Sequence, residues 1–126
     1  MAQTPEGKFQ EEVKKYLEGI GAITYKNQAT KFSKAGYPDM MVWYRGFGFL
    51  LEFKVKGNYP SAIQKAWSYK LADAGVMDIV AYSLDEVKEV VELIDWVYDN
   101  PNVPIENMLM GFQDMADRLR YTGRVK

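Results

Sequence analysis

The sequence has no cysteine and no histidine among its 126 residues. The first absence excludes disulfides, thiolate nucleophiles and sulfur-ligated zinc. The second excludes imidazole ligands, a histidine general base and any serine–histidine pair. A metal bound by this chain would have to be held by oxygen. Long apolar runs are missing too: nothing approaches the ~20 residues that cross a bilayer. The N-terminal Met1-Ala2-Gln3-Thr4-Pro5 has neither the basic nor the apolar part of a signal peptide. A soluble cytoplasmic protein is the expectation, with no membrane partner.

Net charge is nearly absent as well, at −1, which by itself argues against a polyanionic partner. Its distribution is uneven. Residues 1–60 hold nine Lys/Arg against six Asp/Glu and residues 61–126 hold seven against eleven, giving +3 and −4. What the chain does have is core: 48% hydrophobic and 14% aromatic residues suit one globular domain of this length. Residues 1–100 read as that core and residues 101–126 as a helical extension of it.

The stretch from Gly36 to Lys54 organises the rest. Met40 to Tyr44 and Phe49 to Val55 are β-prone runs, with Arg45-Gly46-Phe47-Gly48 as the turn between them. Strand side chains alternate, so Leu50, Glu52 and Lys54 share one face while Leu51, Phe53 and Val55 take the other. An acid and a base thus sit in a strand apolar enough to be central, where an unpartnered ion costs several kcal/mol. Antiparallel pairing would bring Asp39 beside them. Two carboxylates held together call for a cation between them, and a hard divalent ion suits oxygen ligands. The alternative is a structural ion pair or an edge strand with protective charges.

Around the hairpin the elements are regular. Thr4-Pro5 starts a helix whose stripe is Phe9, Val13, Tyr16, Leu17 and Ile20, and Glu6 falls on that stripe, although the positive helix end alone could account for it. Ala22 to Asn27 is a first strand, followed by a basic loop. Ser61-Ala62-Ile63-Gln64 is a capping box opening a helix with Ile63, Ala66, Trp67, the stem of Lys70 and Leu71 inward. Val76 to Tyr82 is a fourth strand. Ser83 to Glu86 is a second capping box, and its helix buries Val87, Val90, Val91, Ile94 and Val97 and turns an acidic side with Lys88, Glu89, Glu92 and Asp95 to solvent. Ile105, Met108, Leu109, Phe112, Met115, Ala116 and Leu119 mark one more amphipathic helix.

Pro38-Asp39, twelve intervening residues and Glu52-Phe53-Lys54 resemble the PD-(D/E)xK nuclease signature, and with Gly36 the pattern resembles its virus-type replication-repair (VRR-NUC) branch. Glu12-Val13-Lys14 and Glu86-Val87-Lys88 match Glu-x-Lys as well, but they fall in helical patterns. The resemblance runs from about Glu6 to Ile94. It implies an α/β restriction-endonuclease-like core (helix, three-stranded meander, helix, strand, helix) with an additional C-terminal helix.

It further implies Mg²⁺ or Mn²⁺ on Asp39 and Glu52, with the Phe53 carbonyl as a further ligand, and Lys54 at the attacking water. Glu6 and Gln64 would complete the site, Gln64 having its capping role as the competing explanation. Lys26, Lys31 and Lys34 would contact DNA. The implied activity is a metal-dependent endonuclease of phage-type replication or repair in a phage or bacterial host, a homodimer acting on branched DNA such as a Holliday junction. Two other readings fit the same residues: a nuclease-fold module that binds nucleic acid or protein without cutting, and a small α/β scaffold whose charged trio is only an ion pair.

Overall fold

Thr4 begins the folded chain by capping a helix: its side-chain oxygen accepts from the Gly7 N–H at 3.0 Å, and Pro5, which lacks an N–H to satisfy, takes the first helical position. A computed structural model of the protein describes residues 4–27 and 35–103. In it α1 (Pro5–Gly19) leads into β1 (Ile23–Lys26), β2 (Met40–Tyr44) and β3 (Phe47–Phe53), then α2 (Ala62–Asp73), β4 (Met77–Ala81) and α3 (Leu84–Asp99). This is the α/β order expected. Lys31, Lys34 and the stripe from Ile105 to Leu119 lie outside the described residues. Among the described residues no helix is long and apolar enough to cross a membrane.

The strands form one sheet in the order β1-β2-β3-β4. β1, β2 and β3 are an antiparallel meander, and β4 returns parallel to β3 after the α2 crossover. The β2–β3 turn is tighter than its sequence suggests. Arg45 (φ 49) and Gly46 (φ 82) alone make it, both left-handed as a two-residue hairpin requires. Phe47 and Gly48 therefore belong to the strand. At the other end β3 stops at Phe53 rather than Val55, although the Lys54 N–H still reaches the Ala81 carbonyl at 3.0 Å.

Alternation sorts the sheet into two faces. Met40, Val42, Phe49, Leu51, Phe53, Ile79 and Ala81 face α1 and α3 and meet Val13, Leu17, Val87, Val90 and Ile94 in one core, with Phe9 edge-on to Phe53 at 5.2 Å. The α3 stripe is buried as its period predicts. Asp95, expected on the solvated acidic side of α3, instead accepts from the Tyr44 hydroxyl at 2.7 Å and pairs with Arg45 at 3.2 Å, which ties α3 to the hairpin turn. The other face carries Asp39, Met41, Trp43, Leu50, Glu52, Asp78 and Val80 by register, and α2 lies over its β3–β4 half. Among the described residues no helix lies over the β1–β2 half of that face, where Ile23, Tyr25 and Trp43 are exposed.

Candidate active site

Met40 pairs with Leu51, so Asp39, one residue before β2, stands opposite Glu52. The backbone on either side is set by two unusual residues. Pro38 confines Tyr37 to an extended conformation, and Gly36 (φ +81) sits so tightly on the first turn of α2 that a Cβ there would collide with Ile63. Trp67 of α2 donates from Nε1 to the Ala35 carbonyl at 2.9 Å, and its ring meets Tyr37 edge-on at 5.2 Å. The segment entering β2 is therefore clamped to α2, and Asp39 is aimed from a fixed position. Its Oδ2 accepts the Phe53 N–H at 2.9 Å, binding the two strands at the site itself.

Glu52 is 5% exposed. Burial first, then the Asp39 carboxylate beside it and a hydrogen bond between the two carboxyl groups, push Glu52 up to about 9; Lys54 opposes this and Asp78 adds to it. The shift favours the protonated form of Glu52, whose carboxyl can then hydrogen-bond to the Asp39 carboxylate instead of repelling it. All donors of the pair are oxygens, and the arrangement suits replacement of that proton by a hard divalent cation, which commonly takes one or two carboxylates and keeps water for the rest. Among the described residues no set of three Asp, Glu, His or Cys lies close enough to share one ion.

Gln64 answers a question that the sequence leaves open. Its Oε1 accepts the Ser61 N–H at 2.8 Å, completing the capping box, while its Nε2 donates to Glu52 Oε1 at 3.0 Å. The two ends of one amide serve the helix and the site together. Lys54 is half-buried just past β3 on the Glu52 side. Glu6 is half-buried in the first turn of α1 and is not brought into a shared-ion group with the two carboxyls. Lys26 pairs with Met40, which places it on the α1 face of the sheet, opposite to Glu52.

Sequence reasoning missed Ser68 and Asp78. Asp78 is 1% exposed on β4, and the Ser68 hydroxyl, one helical turn beyond Gln64, donates to its Oδ2. The expected inner side of α2 is corrected accordingly: Ile63 is 54% exposed, Ala66 is exposed, and Ser68 is the buried residue of the helix. The cause is the sheet beneath, which offers Glu52 and Asp78 where apolar residues would otherwise stand. A charged residue inside Met77-Asp78-Ile79-Val80-Ala81 was the available signal, the same one that marks Glu52.

No sequence-family model matches the chain, and no curated protein does. Solved structures do. One described as a "VRR_NUC domain" is 25% identical, with a TM-score of 0.63 over 71% of this chain and 97% of that one. A second, a "VRR_NUC domain protein", is 25% identical with a TM-score of 0.58 over 73% and 88%. Nearly all of each neighbour is matched, so what is shared is a whole domain.

Proposed function

Because the chain carries a VRR-NUC domain, a nuclease-family fold whose substrate is nucleic acid, we propose that it is a Mg²⁺- or Mn²⁺-dependent endonuclease that hydrolyses DNA phosphodiester bonds. The observation that carries this reading is the Asp39–Glu52 carboxyl pair, Glu52 buried and Asp39 half-buried beside it, closed at one end by Gln64. A scaffold gains nothing from burying two acids against each other, whereas a site that must receive a cation does. Asp39 and Glu52 would hold the ion, with the Phe53 carbonyl as a further ligand and Glu6 acting through water; the ion when bound would supply positive charge at the phosphodiester. Lys54 orients the water that adds to phosphorus, whose proton passes to solvent, and its charge stabilises the phosphate as the bond to the leaving oxygen breaks. Gln64 fixes the Glu52 carboxyl. Lys26, Lys31 and Lys34 position the strand.

The finer reading is a homodimer selective for branched DNA, including four-way junctions, in phage-type replication or repair. Cutting a symmetric junction on paired arms needs two sites related by a two-fold axis, and this chain carries one. The exposed apolar side chains Ile23, Tyr25 and Trp43 on the β1–β2 half of the sheet favour association.

Calorimetric titration of Mn²⁺ into the parent protein and Asp39→Ala, followed by cleavage of linear, flapped and four-way DNA, tests the assignment. Heat and cleavage in the parent and neither in the variant are expected. Metal-independent cleavage would end the proposal, and a monomer that cuts linear duplex as readily as junctions would remove only its finer part.

A further inference from the structure

Behind the hairpin, on the α1 side of the sheet, a cleft of about 350 Å³ opens between the first three turns of α1 and the end of β1. It is lined by Thr4, Gly7, Gln10, Glu11, Lys14, Lys26 and Met40. Its position is set by the candidate site: Met40 follows Asp39, Lys26 is paired with Met40, and the Asn27 N–H donates to the Asp39 carbonyl at 2.8 Å. The backbone that carries Asp39 thus continues into one wall of the cleft at Met40, around the sheet end from Glu52.

Three features of the lining select an occupant. Two cations from different elements converge there, Lys14 and Lys26, and among the described residues neither forms an ion pair. The Gln10 amide oxygen is buried with no hydrogen-bond partner among the described residues, a state that is unfavourable until a donor arrives. The volume lies at the lower end of the range for small-molecule sites, enough for one nucleotide-sized group. Cations beside an amide suit a phosphate joined to a polar heteroaromatic base, since a base edge offers the N–H donors that the amide lacks.

We propose that this cleft is a nucleotide subsite: it takes one nucleotide of the substrate strand next to the scissile bond, with Lys14 and Lys26 on its phosphate and Gln10 on its base. The assignment rests on the nuclease reading and extends it to how the strand is gripped. Among the described residues Glu11 is the one acid in the lining and opposes the phosphate, so the subsite is tuned for moderate affinity, and removing that charge tightens it.

The test measures binding of a fluorescein-labelled synthetic four-way DNA junction by anisotropy in Ca²⁺, and steady-state cleavage in Mg²⁺, for the full chain. Lys14→Ala weakens binding about fivefold and lowers the salt dependence of log Kd by about one phosphate contact. Gln10→Ala raises KM with kcat unchanged, and Glu11→Gln lowers Kd. Lys15→Ala, one residue away and outside the cleft, is the charge-matched control and leaves all three unchanged. Circular dichroism verifies folding, and Glu11→Gln, which must improve binding, cannot be mimicked by a misfolded chain. Lys14→Ala matching Lys15→Ala, or Glu11→Gln binding no tighter than the parent, overturns the subsite while cleavage by the parent keeps the nuclease reading. A parent protein that neither binds the junction nor cuts any of the linear, flapped and four-way DNAs overturns both.

Discussion

The two faces of this one sheet are held by different forces. Toward α1 and α3 the sheet presents Val42, Leu51, Phe53, Ile79 and Ala81, each fully buried, and the contact is apolar. Toward α2 it presents Glu52 and Asp78, which are met by Gln64 and Ser68. Apolar burial is non-directional and grows with area, so it stabilises without fixing any one atom. Hydrogen bonds contribute little net stability but set positions to a fraction of an ångström. The first face keeps the domain folded; the second keeps two carboxyls and an amide in register.

The comparison breaks most visibly when large side chains are removed from each face. Phe53→Ala empties the space between Phe9 and the sheet and is expected to lower unfolding stability by about 3–5 kcal/mol. Ser68→Ala removes one buried hydrogen bond on the other face and is expected to cost only about 1–2 kcal/mol. Urea unfolding followed by circular dichroism measures both, and equal losses would mean that α2 is held as the other helices are. Next in size is Gly36→Ala. A left-handed φ and a collision with the backbone of Ile63 act together, at a cost of about 2 kcal/mol. Because the clamp aims Asp39, Mn²⁺ affinity measured by calorimetry should fall with stability; a variant that loses stability but keeps Mn²⁺ affinity would separate the clamp from the site.

The α2 face also predicts an unusual pH dependence. Glu52 ionises near 4.5 when unfolded and near 9 when folded. The folded protein therefore holds the extra proton between those values, and stability falls as pH rises. The contribution is complete below about 4.5 and is lost progressively toward 9. Glu52→Gln should flatten that slope in metal-free buffer, and added Mn²⁺ should raise the melting temperature more at pH 8 than at pH 6, since metal and proton compete for the same oxygens. Melts across pH with and without Mn²⁺ give the sign directly; a metal-free melting temperature that rises from pH 5 to pH 8 would contradict the buried-acid description.

The two faces differ equally in how far the sequence discloses them. Val87, Val90, Val91, Ile94 and Val97 repeat at helical spacing, and burial follows because apolar packing needs only the period. Both capping boxes form for the same local reason, their partners being three residues apart. Asp39 and Glu52 are legible because a hairpin fixes its own register. Ser68 and Asp78 are ten residues apart, on a helix and the strand after it, and nothing local aligns them. Ile63 misleads because it keeps the helical period while the face beneath α2 is polar. The tight turn at Arg45-Gly46 is hidden because arginine seldom takes a left-handed φ.

The smallest effect sharpens the comparison most, because it divides a single side chain. Gln64 gives its oxygen to the α2 cap and its nitrogen to Glu52. Gln64→Ala loses both and is expected to cost about 1 kcal/mol of stability. Gln64→Glu keeps an oxygen for the Ser61 N–H, as Glu86 does in the box that starts α3, so its stability should stay within about 0.5 kcal/mol of the parent at pH 5. It has no N–H for Glu52, however, and sets a third acid against the pair. Outer partners of metal-holding carboxylates are worth about 10–100-fold in affinity or activity, so cleavage should fall in both variants while the melt falls only in Gln64→Ala. If Gln64→Glu cuts as fast as the parent, the contact with Glu52 has no part in the chemistry and Gln64 is a capping residue alone.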